Sequence, residues 1–186
     1  MVNFRRLLAF LCLLSISFAQ APKPRRCPDT PIRTADSKVI KISQYRGKVV
    51  MVIMFLTSCQ ECITMLQFSE KLQKEYAARG FQVLAISLDE SSANLLPFQQ
   101  RYRFSFPLGH VEKEGAIELA SLKKEAHPLV PLVMFVDWMG NVRFKYEGGN
   151  DPIYQQGEKG IRGIATGLLN QAAAKEGPKY QSAPAK

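Results

Sequence analysis

A chain of 186 residues, 46% hydrophobic and 22% charged, is long enough to bury a core without disulfide staples and suits one domain with terminal extensions. Its net charge of +9 comes from 25 Lys and Arg against 16 Asp and Glu. These basic residues are scattered among acids rather than clustered with aromatics, which excludes the usual footprint of a nucleic-acid binder and describes a solvated basic surface.

The N-terminus, "MVNFRRLLAFLCLLSISFAQA", has two arginines, an apolar run from Leu7 to about Phe18, and small residues at Ser17 and Ala19. This is the layout of a cleaved secretory leader over residues 1–19. The apolar run is shorter than the about 20 residues expected of a membrane-spanning helix. The expected location is outside the cytoplasm, in the periplasm or on the extracellular face of the envelope. Membrane attachment is expected only if the leader stays uncleaved. Cys12 leaves with the leader, so Cys27, Cys59 and Cys62 remain, an odd number that is not a stapling framework.

Residues 20–28, "QAPKPRRCP", read as an extended lead-in, residues 29–174 as the folded domain and residues 175–186 as a flexible tail. Within the domain, "TPIRTADSKVIKIS" alternates short extended runs about a turn at Ala35–Ser37, which predicts a hairpin. Lys48 to Leu56 is an almost unbroken apolar run, the pattern of a strand covered on both faces. Beyond Cys59 the period changes. Met65, Phe68, Leu72 and Tyr76 form a helical stripe that Gly80 caps. "FQVLAISLDE" follows as a second buried strand, then a helix containing Pro97 in its first turn. "SFPLGH" is a short extended piece and "EKEGAIELASLKKEA" a helix. "PLVMFVDWMGNVRFKYEGG" predicts two antiparallel strands joined at Trp138–Asn141, with Trp138 decorating the turn. A last helix is expected over about Glu158 to Ala174. Alternating strands and helices followed by a hairpin predict an α/β fold with a mixed central sheet flanked by helices, preceded by a β-hairpin extension.

The chemistry gathers at "TSCQEC", where a buried strand becomes a helix. A helix N-terminus carries about half a positive charge and unpaired amides. A thiolate there is stabilised, which makes Cys59 the expected nucleophile and Cys62, one turn on, the resolving thiol. A metal pair and a structural accident are the competing readings of the same spacing. Zinc needs four ligands, and a single CxxC would have to recruit Cys27 and a histidine.

With the downstream "VPLVMFVDWMGNVRFKYEG", these segments make the chain resemble the thioredoxin-like superfamily. Within it, the resemblance is to the secreted TlpA/ResA-like thiol-disulfide oxidoreductases, over about Pro28 to Leu169. The resemblance implies that Cys59 attacks, Cys62 resolves, and Pro131 is a cis-proline that, with Val130, docks the substrate backbone. It implies a redox-active Cys59–Cys62 disulfide with no further cofactor. The implied partners are thiols and disulfides of envelope proteins, including apocytochrome c cysteines, and a membrane electron donor. Three positions depart from the family pattern. Ser58 replaces the usual tryptophan, Ile53 the buried aspartate of thioredoxins, and Met65 a glutamate of ResA-like reductases. The nearest carboxylate is Glu61, whose charge opposes a Cys59 thiolate and favours a more reducing couple.

Two rivals share the fold. A Sco-like copper chaperone would use Cys59, Cys62 and His127, although such proteins space their cysteines CxxxC. His127 and His110 otherwise read as surface loop residues. A redox-inactive thioredoxin-like binding module would need neither thiol. A peroxiredoxin pattern, P-x-x-x-T-x-x-C, fails because Val52 and Leu56 hold its proline and threonine positions. Cys27 follows Arg25 and Arg26, positive neighbours that would help a reactive thiol, and it could pair between two molecules; a lone cysteine near a terminus is more often incidental.

Overall fold

The computed structural model describes residues 24–148 and 151–177. The leader assigned to residues 1–19 lies outside them, as do the first residues of the lead-in and residues 178–186 of the tail. In chain order the elements are β1 (Arg25–Arg26), β2 (Ile32–Thr34), β3 (Val39–Ile40), β4 (Val49–Phe55), α1 (Gln60–Tyr76), β5 (Phe81–Ser87) and α2 (Leu95–Tyr102). There follow β6 (Leu108–His110), α3 (Lys113–Ala120), β7 (Leu132–Val136), β8 (Asn141–Glu147), a short α4 (Pro152–Gln155) and α5 (Gly157–Glu176). Among the described residues the strands form one sheet in the order β1-β8-β7-β4-β5-β6-β2-β3.

The apolar run at Lys48–Leu56 becomes the central strand because both of its faces are covered. All seven residues of β4 are buried. Val49, Met51, Ile53 and Phe55 pack with α1, α2 and α5 through Leu66, Leu72, Phe98 and Leu168. Val50, Val52 and Met54 pack on the other side with α3 through Ala116 and Leu119, and with the hairpin residue Ile32. The alternation is the two-residue period of a strand read on two cores at once. β4 pairs parallel with β5 and antiparallel with β7, so the sheet is mixed as expected.

The predicted hairpin is present. β2 and β3 pair antiparallel about the Ala35–Ser37 turn, and β2 docks antiparallel on β6. A Cβ on Gly109 would come within 2.3 Å of the Ile32 side chain, so the close approach of the hairpin to β6 depends on a residue without one. The helix after β6 is shorter than the sequence implies. Ser121 turns left-handed at φ 49°, and Leu122 N–H donates to the Ile117 carbonyl at 2.9 Å. This paired closure satisfies the last carbonyls and ends the helix at Ala120 rather than near Ala126. The last helix, in turn, runs on to Glu176.

Three side chains sit deeper than their sequence context implies. Trp138 is buried rather than decorating the turn, with Lys175 Nζ 6.0 Å from its ring centroid. His110 is a buried strand residue, its Nε2 3.0 Å from the Asp89 carbonyl oxygen. The lead-in contributes β1, which pairs with β8, and so carries Cys27 under cover. Burial pushes the Cys27 thiol up to about 11, against the opposing pull of Arg25 and Arg46. Burial disfavours the reactive-thiol alternative for Cys27. At pH 8 the native protein should alkylate at Cys27 about 100-fold more slowly than the denatured chain, as mass mapping would show. Labelling at the denatured rate would mean that β1 does not hold.

Candidate active site

The site forms where β4 gives way to α1. The strand ends at Phe55, and residues 56–58 turn before the helix. Cys59 is the N-cap, extended at φ −87° and ψ 114°. Its sulfur accepts the Cys62 N–H at 3.2 Å, which satisfies one of the helix's free amides. The two cysteines are joined as a disulfide with Cα atoms 5.2 Å apart. Cys62 is fully buried, whereas Cys59 is only partly covered by the core. An incoming sulfur therefore meets Cys59 first. When the bond is reduced, the same N–H and the helix dipole face a Cys59 thiolate.

A residue that sequence reasoning missed fixes the turn. The carboxylate of Asp89, just beyond β5, accepts the Thr57 N–H at 3.3 Å and the Ser87 hydroxyl at 2.7 Å. It ties the loop that carries Cys59 to the neighbouring strand. The only sequence signal was a carboxylate following the second buried strand.

The peptide bond between Val130 and Pro131 is cis. Val130 and Pro131 line a groove of about 540 Å³ whose other walls include Glu61, Met65, Phe68, Glu158 and Ile161. The Glu61 carboxylate is 3.8 Å from the Cys59 sulfur, which places the groove against the disulfide. Cys59, Cys62, Glu61, Val130 and Pro131 are thus gathered at one place. Ile53 is buried in β4 and Met65 faces the groove, so neither position supplies a proton-handling carboxylate.

His127 lies elsewhere. It shares a cavity of about 460 Å³ with His110, and neither Cys59 nor Cys62 lines that cavity. Among the described residues no group of three or more His, Cys, Asp or Glu side chains is arranged to hold a metal ion. The set of Cys59, Cys62 and His127 named for copper is not brought together there.

A model of the AhpC/TSA family matches residues 24–145. The chain belongs to the AhpC/TSA family. Among relatives of this AhpC/TSA protein, the thiol-disulfide oxidoreductase ResA of Oceanobacillus iheyensis is 29% identical over 83 residues, 45% of this chain and 43% of the relative. The thioredoxin-like protein YneN of Bacillus subtilis is 29% identical over 94 residues, 49% of this chain and 54% of the relative. The chain thus matches about half the length of these relatives. A thioredoxin family thiol:disulfide interchange protein from Chlorobium tepidum superposes with a TM-score of 0.67 at 21% identity, covering 80% of this chain and 99% of its own. A second Chlorobium tepidum structure, of a thiol:disulfide interchange protein DsbE, gives 0.63 at 22% identity over 76% of this chain and 96% of its own. These superpositions establish the thioredoxin-like fold for this family member. The peroxidatic pattern remains missing from it, with Val52 buried in β4.

The geometry around Glu61 carries a measurable consequence. A charge near 4 Å in water is worth about 1 kcal/mol, and 30 mV corresponds to about 1.4 kcal/mol for a two-electron couple. Removing the carboxylate favours the Cys59 thiolate and hence the reduced form. Glu61→Ala should therefore raise the Cys59–Cys62 potential by about 10–20 mV. An unchanged or lowered potential in a thiol-buffer titration would remove this role.

Proposed function

We propose that the chain is an exported thiol-disulfide oxidoreductase that reduces disulfides of envelope proteins. The observation that carries the reading is a disulfide-bonded pair at a helix N-terminus, with the Cys62 N–H on the Cys59 sulfur and a peptide-sized groove alongside. The names of the ResA relatives support the same activity.

In the reductive direction the Cys59 thiolate attacks one sulfur of a substrate disulfide. An S–S bond forms between protein and substrate, and the other substrate sulfur leaves as a thiolate. Cys62 loses its proton and attacks the Cys59 sulfur. The substrate's second thiolate departs and the Cys59–Cys62 bond closes. Two electrons have moved from the protein dithiol to the substrate, and the two released thiolates take up protons from solvent. A dithiol donor, proposed to be membrane-bound, restores the reduced pair by the reverse exchange. Val130 and Pro131 hold the substrate backbone, Glu61 tunes the couple, and no cofactor beyond the cysteine pair takes part. The leader at residues 1–19 supports an envelope location; among the described residues no helix is long and apolar enough to cross a membrane.

The test is an equilibration of the protein in graded thiol buffers, with the state of Cys59 and Cys62 read by alkylation and peptide mass mapping. A reversible two-electron transition near or below that of thioredoxin, about −270 mV, is expected. A transition far above that value would make the protein an oxidant or isomerase. No reversible transition would sink the oxidoreductase reading.

A further inference from the structure

The groove beside the disulfide has a charge pattern opposite to that of the chain. The protein holds 25 Lys and Arg against 16 Asp and Glu. Yet the charged residues lining the groove are Glu61 and Glu158, and none of its lining residues is basic. Its remaining walls are largely apolar, with Met65, Phe68 and Ile161 joining Val130 and Pro131. Glu61 stands in the first turn of α1 and Glu158 in the first turn of α5. Each placement suits its own helix. What helix stability alone does not require is that both first turns open onto one groove next to the reacting sulfur.

The nearby cations leave that negative character in place. Lys71 Nζ is 3.8 Å from the Glu158 carboxylate, and both side chains are largely exposed, a loose pairing that solvent screens. Arg162 lies over the Phe68 ring but is held by the Glu75 carboxylate and by the Tyr76 hydroxyl at 2.9 Å.

Resting on the proposed exchange at Cys59, we infer that this groove selects polypeptide substrates carrying a lysine or arginine beside the reacting cysteine and an apolar residue next to it. The apolar side chain packs on Met65, Phe68 and Ile161, and the cation lies between Glu61 and Glu158. The two carboxylates then act as specificity determinants, raising the encounter rate and orienting the chain across the disulfide.

The test uses the reduced full-length protein and three synthetic peptides. Each peptide holds one intramolecular disulfide and one leucine, and differs only in a lysine, glutamine or glutamate next to the first cysteine. Second-order rates of peptide reduction are followed by quenched mass analysis. The expected order is lysine, glutamine, glutamate, with lysine about 3- to 10-fold above glutamate at low salt, the scale of two exposed charge pairs. The ratio should shrink in high salt and in Glu158→Gln. Because the readout is a ratio between peptides, a general loss of activity or stability in the variant does not imitate it, and the wild-type ratio stands even if the variant fails to fold. Equal rates for the three peptides, or a ratio that survives Glu158→Gln together with Glu61→Gln, would overturn the inference while leaving exchange at Cys59 intact. No reduction of any peptide would overturn both.

Discussion

Cys62→Ser protein, reduced and mixed with a disulfide-containing substrate, should accumulate as a covalent adduct through Cys59. Turnover should fall by at least about 100-fold, because a positioned intramolecular thiol is replaced by bimolecular attack from solution. Cys59→Ser should abolish both the adduct and turnover. The asymmetry follows from burial. Cys62 is a fully buried residue of the first turn of α1, whereas Cys59 is only partly covered and holds the N-cap. A substrate sulfur can reach only the first. In the disulfide form the Cys62 amide donates to the Cys59 sulfur from one turn away, which places Cys62 to attack that sulfur in a mixed disulfide. Non-reducing electrophoresis and mass mapping of the adduct decide the matter. Normal turnover in Cys62→Ser, or an adduct in Cys59→Ser, would reverse the assigned roles.

The second large effect concerns stability at the other end of β7. Asp137 is buried, and one of its oxygens accepts the Met139 and Asn141 amides at 3.0 and 2.9 Å. The other faces the Arg143 guanidinium at 3.4 Å and the Asn141 side-chain amide at 3.4 Å. Asp137→Ala removes the common acceptor, leaving the part-buried Met139 and Asn141 amides and a partly covered guanidinium without their buried partner. The expected cost is about 3 kcal/mol, or roughly 10 °C in melting temperature for a domain of this size. Asp137→Asn keeps an accepting oxygen and should lose clearly less. Since Pro131 stands before β7 and this turn after it, the folded fraction of either variant should exchange disulfides at close to the parental rate. A melting temperature within 2 °C of the parent for the alanine variant, by differential scanning calorimetry, would show that the turn holds without its carboxylate.

Much of this architecture was legible because the local signals agreed. The apolar run at Lys48–Leu56, the change of period after Cys59 and the glycine at residue 80 each marked an element boundary, and together they put the cysteines at a strand-to-helix junction. Phe68, Leu72 and Tyr76 of the helical stripe are buried as expected, and only its first member departs. Leu66 and Ser69 face the core, while Met65 turns partly outward into the groove, a rotation set by what packs on the helix and invisible to its period. Asp89 reaches Thr57 across 32 residues and Glu158 shares a groove with Glu61 from another helix, so neither could be placed before the fold. β1 was hidden by its proline- and charge-rich context, since a two-residue edge strand needs only backbone partners. The end of α3 at Ser121 was missed because a serine in a left-handed turn carries none of the composition that flags a glycine there.

The short strands β1 and β3 stand at opposite margins of the sheet, and both come from the first stretch of described chain. Two-residue borders offer few open backbone groups to a neighbouring molecule, which protects a long sheet from pairing edge to edge. The same arrangement imposes an order of assembly. β1 must wait for Asn141 and Val142 before it has a partner, and the β2–β3 hairpin must wait for Gly109 and His110 before it can join the sheet. In a chain made from its N-terminus, residues 25–40 therefore appear before the strands they join and are among the last to settle into the sheet.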